Sequence, residues 1–100
     1  MPKFHFEIPH SLSAEEAKSR IERSIEPLLA KFQDKVKDLD QGWTGNTLNF
    51  GFKTLGMRIT GDITALDQKV DVNGEIPFTA MMFKGKIETE VRDKLTRLLR

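Results

Sequence analysis

Alternation between apolar and polar residues over residues 47–77 constrains this sequence more than any other feature. Three runs alternate, and their inward positions are Leu48, Phe50 and Phe52; Met57, Ile59, Gly61 and Ile63; and Val70, Val72, Gly74 and Ile76. Because successive side chains of a strand point to opposite faces, such runs are typical of strands with one buried face. The breaks between the runs are short, which predicts antiparallel neighbours joined by tight turns.

The turn residues predict how these strands pair. Turns centred on Gly45–Asn46, Thr54–Leu55 and Asp67–Gln68 place inward residues opposite one another. The expected pairs are Trp43 with Leu48, Phe52 with Met57, Phe50 with Ile59, Ile63 with Val72, and Gly61 with Gly74, with Leu48 beyond the glycines.

The N-terminal part of the chain predicts a strand followed by a helix. Residues 3–8 alternate, with Phe4, Phe6 and Ile8 on one face, and Pro9 ends the strand. Residues 13–16 form a capping box, the start signal of a helix. Apolar residues then recur at helical spacing on one stripe, and Pro27 within it predicts a kink or a break between residues 23 and 27. The stripe comprises Ala17, Ile21, Ile25, Leu28, Leu29 and Phe32.

Residues 34–43 and 79–99 complete the pattern. Leu39, Gln41 and Trp43 alternate while Val36 is out of phase, which predicts a strand with a bulge or an irregular start. The C-terminal segment has helical periodicity from about residue 79 to residue 99. Its stripe comprises Ala80, Phe83, Ile87, Val91, Leu95 and Leu98.

The order of elements is therefore β-α-β-β-β-β-α. The sequence predicts an α+β fold in which an antiparallel sheet of about five strands carries two helices on one face. A sheet curved around a long C-terminal helix is similar to a reduced helix-grip fold. One hundred residues suit a single domain, residues 1–100.

Composition argues against several classes of function. The chain has no cysteine and two histidines, His5 and His10, whose spacing does not match a metal-binding or catalytic motif. We therefore assign no catalytic residue, no metal ligand and no cofactor, and expect no enzymatic activity. A net charge of +1 gives no indication of nucleic-acid binding. The N-terminal residues do not form the long apolar run of a signal peptide or a membrane span, which favours a soluble cytoplasmic protein.

Two groups of residues are candidates for contact with a ligand or a partner. Gly61 and Gly74 lie on the inward face, where glycine often marks a close approach. A helix packed over the glycines is the favoured interpretation, and the alternative is an apolar pocket lined by Leu48, Phe50 and Ile76. The second group lies at the start of the C-terminal helix, where Phe78, Met81 and Met82 offer an adaptable apolar surface.

Several segments together resemble a known family. HSLS precedes the first helix, WTGNTLNFGFKTLGMRITG spans two strands, and GEIPFTAMMFKGKIE leads into a leucine-rich helix. In this order they resemble the polyhydroxyalkanoic acid system proteins, which are small bacterial proteins associated with the genes of polyester storage granules. The most specific parts are Gly56–Met57, Gly61, Ile76–Pro77 and residues 83–87.

The resemblance implies a bacterial cytosolic protein linked to the formation or coating of granules. Its partners would be the granule surface or granule-associated proteins, and the family implies no catalytic residues. Both helices are needed for the core, so an accessory or adaptor role is preferred to that of a bulk coat protein. Two other functions stay open: a carrier of a small lipophilic ligand of the hydroxyacyl type under the C-terminal helix, and a protein–protein module such as a dimer.

Overall fold

The computed structural model of the protein describes residues 3–32 and 34–100. The chain forms a mixed succession of strands and helices in the predicted order. The elements are β1 (Lys3–Pro9), α1 (Ala14–Phe32), β2 (Lys37–Thr44), β3 (Thr47–Thr54), β4 (Met57–Leu66), β5 (Lys69–Glu75), a 3₁₀ helix (Phe78–Phe83) and α2 (Lys84–Leu98).

The five strands form one antiparallel sheet in the order β1-β5-β4-β3-β2. Strands β2 to β5 follow one another as hairpins, because their turns are only two residues long. The N-terminal β1 closes the other side by pairing with β5, with Phe6 opposite Val72. The predicted α+β fold with a five-stranded antiparallel sheet is confirmed.

The predicted register is correct at two turns and wrong at one. Trp43 lies opposite Leu48, Ile63 opposite Val72 and Gly61 opposite Gly74, as predicted. The β3–β4 turn is Leu55–Gly56 and not Thr54–Leu55, so the strands shift by two residues. In the observed register Phe52 lies opposite Ile59, Phe50 opposite Gly61, and Leu48 opposite Ile63.

The backbone of the β3–β4 turn explains this shift. Leu55 has a φ of 52° and Gly56 a φ of 75°. Two consecutive positive φ angles are what a two-residue hairpin turn of type I′ requires, and glycine adopts such angles without steric cost. Centring the turn on Leu55–Gly56 places the glycine in this conformation.

The start of β2 is irregular, as predicted. Lys37 pairs with Lys53 and Asp40 with Gly51, so β2 carries extra chain between residues 37 and 40. Asp38 has a φ of 50°, which allows the chain to bulge there. Beyond Asp40 the pairing with β3 is regular up to Thr44.

One apolar cluster lies between the sheet and the two helices. The buried side chains of β1, β3, β4 and β5 share one sheet face, and Ala17 and Ile21 of α1 pack on it together with Leu95 of α2. Ile25 packs against the cluster at its margin. Of the predicted α1 stripe, the side chains of Leu28, Leu29 and Phe32 lie outside the described part. The buried strand residues of this cluster are Phe4, Phe6, Ile8, Leu48, Ile59, Ala65, Val70 and Val72.

Side-chain acceptors from two sources hold the first turn of α1. The Ser13 Oγ accepts the amide of Glu16 at 3.2 Å, as the capping box predicts, and the Glu16 carboxylate pairs with Arg20. Asp67 in the β4–β5 turn accepts the amide of Ala14 at 2.8 Å, which ties that hairpin to the helix. Helix α1 is continuous through Pro27, so the predicted break is wrong, and the alternative of a kink stays a prediction.

The C-terminal segment departs from the predicted single α-helix. Residues 78–83 form a 3₁₀ helix, with three residues per turn, and only then does α2 begin. Within α2 the predicted stripe is kept: Leu95 is buried, and Ile87, Val91 and Leu98 pack against the core at its margin. Leu99, just after the helix, is also buried, whereas Phe83 is exposed although the uniform helical pattern placed it in the core.

Candidate functional site

Large apolar side chains gather at one end of the molecule and remain exposed. They belong to the 3₁₀ helix and to the β3–β4 turn, and we call this surface the apolar tip. It comprises Leu55, Phe78, Met81, Met82 and Phe83. The exposed fraction reaches 76% for Phe78, 82% for Met82 and 86% for Leu55. Single exposed apolar residues are common, but several at one end of a small protein are typical of a contact surface.

The 3₁₀ geometry explains why this segment presents its apolar side chains outwards. In a 3₁₀ helix, residues three apart lie above one another, so Phe78 aligns with Met81 and Thr79 with Met82. Ala80 is the buried member of the segment and anchors it to the core. Its amide donates to the carbonyl of Pro77 at 2.9 Å, which closes the first turn. Phe78, Met81 and Met82 lie on the other two rows and therefore face away from the core. Phe83 shares the row of Ala80 but is still 44% exposed.

The two parts of the apolar tip are held next to each other. The hydroxyl of Thr79 contacts the Met57 Sδ at 3.7 Å. Met57 directly follows the Leu55–Gly56 turn, so this contact joins the 3₁₀ helix to the base of the β3–β4 hairpin. Met57 also packs against the core at its margin. The apolar tip thus rests on fixed elements of the fold.

The predicted contact residues separate into two groups in the structure. Phe78, Met81 and Met82 are exposed, in keeping with a contact surface. The other five lie in or beside the core, where Leu48, Gly74 and Ile76 are buried and Phe50 and Gly61 are half-buried. The eight residues therefore do not form one site.

Phenylalanine rings fill the dip made by the two glycines. A methyl group on Gly61 would lie 2.8 Å from the ring of Phe50 and 2.5 Å from the carbonyl oxygen of Asn73. A methyl group on Gly74 would overlap the ring of Phe4, the cross-strand neighbour of Gly74. The nearest atoms are thus rings and strand backbone, and not the helix that we expected there. Phe50 is itself one of the residues predicted to line the pocket, so the pocket interpretation stays a prediction.

The outward face of the sheet carries a group of titratable side chains near β1. His5, Glu7 and Asp71 each present a ligand-type atom within 4.8 Å of the other two. Lys69 contacts Glu7 at 3.0 Å, and this hydrogen bond raises the pKa of the Lys69 ammonium. His5 Nε2 lies 3.5 Å from an Asp71 carboxylate oxygen. Glu7 is thus paired with Lys69, whereas the buried Asp71 Oδ1 accepts no hydrogen bond from the described residues. The expectation of no metal ligand stays a prediction.

Sequence reasoning missed two features of these surfaces. It did not include Leu55 in the contact surface, although a Leu-Gly pair between two alternating runs is a signal for a hairpin turn with an exposed leucine. It considered the two histidines only against each other, whereas His5 meets Asp71 through the pairing of β1 with β5. The second feature has no local signal.

Comparison with known proteins identifies one family. Residues 4–99 match the model of a family described as "putative polyhydroxyalkanoic acid system protein". No curated protein and no solved structure matches the chain, so the similarity to helix-grip folds stays a prediction. Within residues 3–32 and 34–100, no helix is long and apolar enough to cross a membrane.

Proposed function

Because this chain belongs to the family of polyhydroxyalkanoic acid system proteins, we propose that it is an accessory protein of bacterial polyester storage granules. In this proposal the protein is cytoplasmic, and its apolar tip contacts the granule surface. The observation that carries the proposal is the exposure of five large apolar side chains at one end of the fold.

The chemistry of the apolar tip suits the surface of a polyester. A polyester particle presents apolar methylene and methyl groups, and it has no fixed pocket into which a shaped ligand would fit. Burying a large apolar side chain contributes roughly 1.5–3 kcal/mol, so a few such residues supply enough free energy for reversible attachment. Met81 and Met82 add flexible thioether side chains that adapt to an irregular surface.

The conformation of Leu55 supports the same interpretation. Leu55 adopts a left-handed backbone conformation, which costs a residue with a bulky side chain about 1–2 kcal/mol. Asparagine or aspartate is preferred at this position of a hairpin turn. A leucine here loses turn stability and places an apolar side chain in solvent. Contact with an apolar surface would bury this side chain and offset the loss of turn stability.

The proposed role is one of contact and not of catalysis. The five residues of the apolar tip provide apolar contact area but no ionisable side chain that could transfer a proton. In the proposed role the protein is therefore not an enzyme. A carrier function receives less support, because the rings of Phe4 and Phe50 lie directly against the two glycines.

Localisation in cells tests the proposal. A fluorescently tagged copy is expressed in bacteria that accumulate polyester granules and in a strain that lacks the polyester synthase. The wild-type protein is compared with Phe78→Ser/Met82→Ser, which removes apolar area at exposed positions. The matched control is Phe78→Leu/Met82→Leu, which changes the same two residues but keeps them apolar.

We expect the wild type and the leucine control to concentrate on granules and to be diffuse in the strain without granules. The serine variant is expected to be diffuse in both strains at an unchanged protein level. Diffuse wild-type protein in granule-containing cells would refute the granule role. Equal granule enrichment of the serine variant would keep that role but reject the apolar tip as the contact surface.

A further inference from the structure

One imidazole and two carboxylates meet on the outward face of the sheet, where β1 pairs with β5. His5 and Glu7 are two residues apart on β1, so their side chains point to the same face. Glu7 lies directly opposite Asp71 of β5, and His5 lies opposite Asn73. One ligand-type atom of each of His5, Glu7 and Asp71 lies within 4.8 Å of those of the other two. The pairing of the two strands thus brings together three side chains of types that bind metal ions.

The Asp71 carboxylate has an oxygen that no donor of the described chain satisfies. The Oδ1 atom is buried and accepts no hydrogen bond from the described residues. The nearest candidate, the His5 Nε2, lies 3.5 Å away, beyond the usual range for a hydrogen bond. Leaving a buried acceptor without a donor costs free energy, and such groups are rare in folded proteins. A cation held between Oδ1 and the imidazole would compensate this oxygen.

From this geometry we propose that His5, Glu7 and Asp71 form a binding site for a divalent transition metal ion, with Zn²⁺ as its most suitable occupant. The proposal is independent of the granule role. It opposes our expectation of no metal ligand, because that expectation compared the two histidines only with each other. The strand pairing supplies the two carboxylates that sequence spacing did not indicate.

The distances and the accessibility of the three side chains fit a bound ion. Two ligands of a tetrahedral zinc ion lie about 3.4 Å apart, given metal–ligand distances of about 2.1 Å. The His5 Nε2 and the Asp71 Oδ1 are 3.5 Å apart. Their side chains are 52% and 30% exposed, so an ion can enter from solvent without any opening of the fold. Glu7 has a longer, exposed side chain that can turn one oxygen towards the ion.

The donor set selects the class of ion. Imidazole nitrogen together with carboxylate oxygen is a common set for Zn²⁺ and its neighbours among the transition metals. Ca²⁺ and Mg²⁺ prefer sets of about six or more oxygen ligands, which three side chains including an imidazole do not provide. Three protein ligands leave the fourth position of a tetrahedral ion to water. We assign an ion-binding site here and no reaction.

Lys69 competes with the ion for Glu7. The Lys69 ammonium lies 3.0 Å from the Glu7 Oε2 and compensates its charge in the ion-free protein. Because a carboxylate has two oxygens, Glu7 can bind an ion through Oε1 while Lys69 remains on Oε2. The ammonium then lies close to the ion and repels it. Removal of this positive charge should therefore strengthen the binding of the ion.

Calorimetric titration of Zn²⁺ into untagged, chelator-treated protein tests the proposal. His5→Gln and Asp71→Asn each remove one ligand. The matched controls are His10→Gln, which removes the other histidine, and Asp62→Asn, which changes a carboxylate on the same sheet face. Lys69→Gln removes the competing charge and keeps all three ligands. Circular dichroism checks the fold of each variant, and the absorption spectrum of bound Co²⁺ reports its coordination.

We expect the wild type and both controls to bind one Zn²⁺ per chain with affinities within about twofold of each other. Loss of an outer-shell partner alone weakens metal sites by about 10–100-fold, so His5→Gln and Asp71→Asn should each lose at least about tenfold in affinity. Lys69→Gln should bind more tightly than the wild type. Saturating Zn²⁺ should raise the melting temperature of the wild type, because the ion binds the folded chain.

Wild-type protein without saturable binding at millimolar Zn²⁺ would overturn the proposal. Wild-type affinity in folded His5→Gln or Asp71→Asn would overturn it as well, since the ion would then lie elsewhere. Equal or weaker binding by Lys69→Gln would place the ion away from Glu7 and reject the site of three residues.

Discussion

The two edge strands of the sheet, β1 and β2, differ in almost every respect. Strand β1 alternates strictly between exposed and buried residues, and Phe4, Phe6 and Ile8 enter the core. Strand β2 has no buried residue. The guanidinium of Arg92 lies 4.9 Å from the centre of the Phe6 ring on β1. No strand but β3 pairs with β2 in the parts of the chain described.

This difference divides the molecule into a packed part and an exposed part. The packed part consists of β1, β3, β4 and β5 with the helices over them, and its residues determine the stability of the fold. The exposed part consists of β2 and the apolar tip, which expose Leu39, Leu55, Phe78 and Met82. Substitutions in the packed part should change the melting temperature, and those in the apolar tip should change binding.

The largest expected difference separates two leucines on neighbouring strands. Leu48 of β3 is 1% exposed, whereas Leu39 of β2 is 38% exposed. Truncating a buried leucine to alanine removes apolar contacts and leaves a cavity, which costs about 2–5 kcal/mol. We therefore expect Leu48→Ala to lower the free energy of unfolding by that amount and Leu39→Ala by less than about 1 kcal/mol.

Urea denaturation of both variants provides the measurement. Equal losses for Leu48→Ala and Leu39→Ala would contradict the division into a packed and an exposed part.

Two glycines provide the next comparison. A methyl group on Gly61 would lie 2.5 Å from the carbonyl oxygen of Asn73, whereas a methyl group on Gly42 of β2 would meet no atom within 4 Å. Gly61→Ala is expected to lower stability by about 1–3 kcal/mol, because the neighbouring strand must move. Gly42→Ala is expected to raise it by about 0.5–1 kcal/mol, since alanine is less flexible than glycine in the unfolded chain.

Thermal unfolding of the two alanine variants gives the sign directly. A stabilised Gly61→Ala would show that the strands leave room at that position, and it would return the pocket interpretation to consideration.

A substitution in the turn of the apolar tip should raise the stability of the fold, whereas the substitutions in the core lower it. Leu55→Asn places a residue that tolerates positive φ in the β3–β4 turn, and we expect a gain of about 1 kcal/mol. The same change removes an exposed apolar side chain, so attachment to polyester should weaken. Calorimetry on this variant measures the change in stability, and binding to polyester particles measures the change in attachment. A less stable variant would contradict our assignment of strain to Leu55.

The smallest effect concerns the exposed ion pairs on the outward face of the packed part. The hydrogen bond with Glu7 raises the pKa of Lys69, so its contribution to stability is present at neutral pH and is lost as the pH rises through the raised value. We expect the wild type to lose slightly more stability above about pH 10 than Lys69→Arg, because arginine stays charged there. Identical pH profiles would mean that this pair adds nothing measurable.

Most of the sheet was predictable because the alternation of side chains and the turn residues agree. The β3–β4 register was not predictable from alternation, since a shift by two residues leaves every side chain on its own face. The backbone conformation of Leu55 and Gly56 settles that register. No apolar pattern distinguishes a turn at Thr54–Leu55 from one at Leu55–Gly56.

The contact surface was predictable only in part. The apolar composition of residues 78–83 indicated a surface at Phe78, Met81 and Met82, but a uniform helical period placed Phe83 in the core. Phe83 is instead exposed at the junction between the 3₁₀ helix and α2. The contact between His5 and Asp71 was not predictable from local sequence either, because it depends on the pairing of β1 with β5.

Binding of purified protein to protein-free polyester particles tests the central claim, that the apolar tip contacts the granule surface, most directly. Sedimentation compares the wild type with Phe78→Ser/Met82→Ser and Phe78→Leu/Met82→Leu, and neutral lipid vesicles serve as a competing apolar surface. We predict that the wild type and the leucine control sediment with the polyester. The serine variant should bind the particles at least about tenfold more weakly, which corresponds to a loss of about 1.4 kcal/mol of binding free energy. Wild-type protein that ignores bare polyester, or prefers the lipid vesicles, would contradict the account.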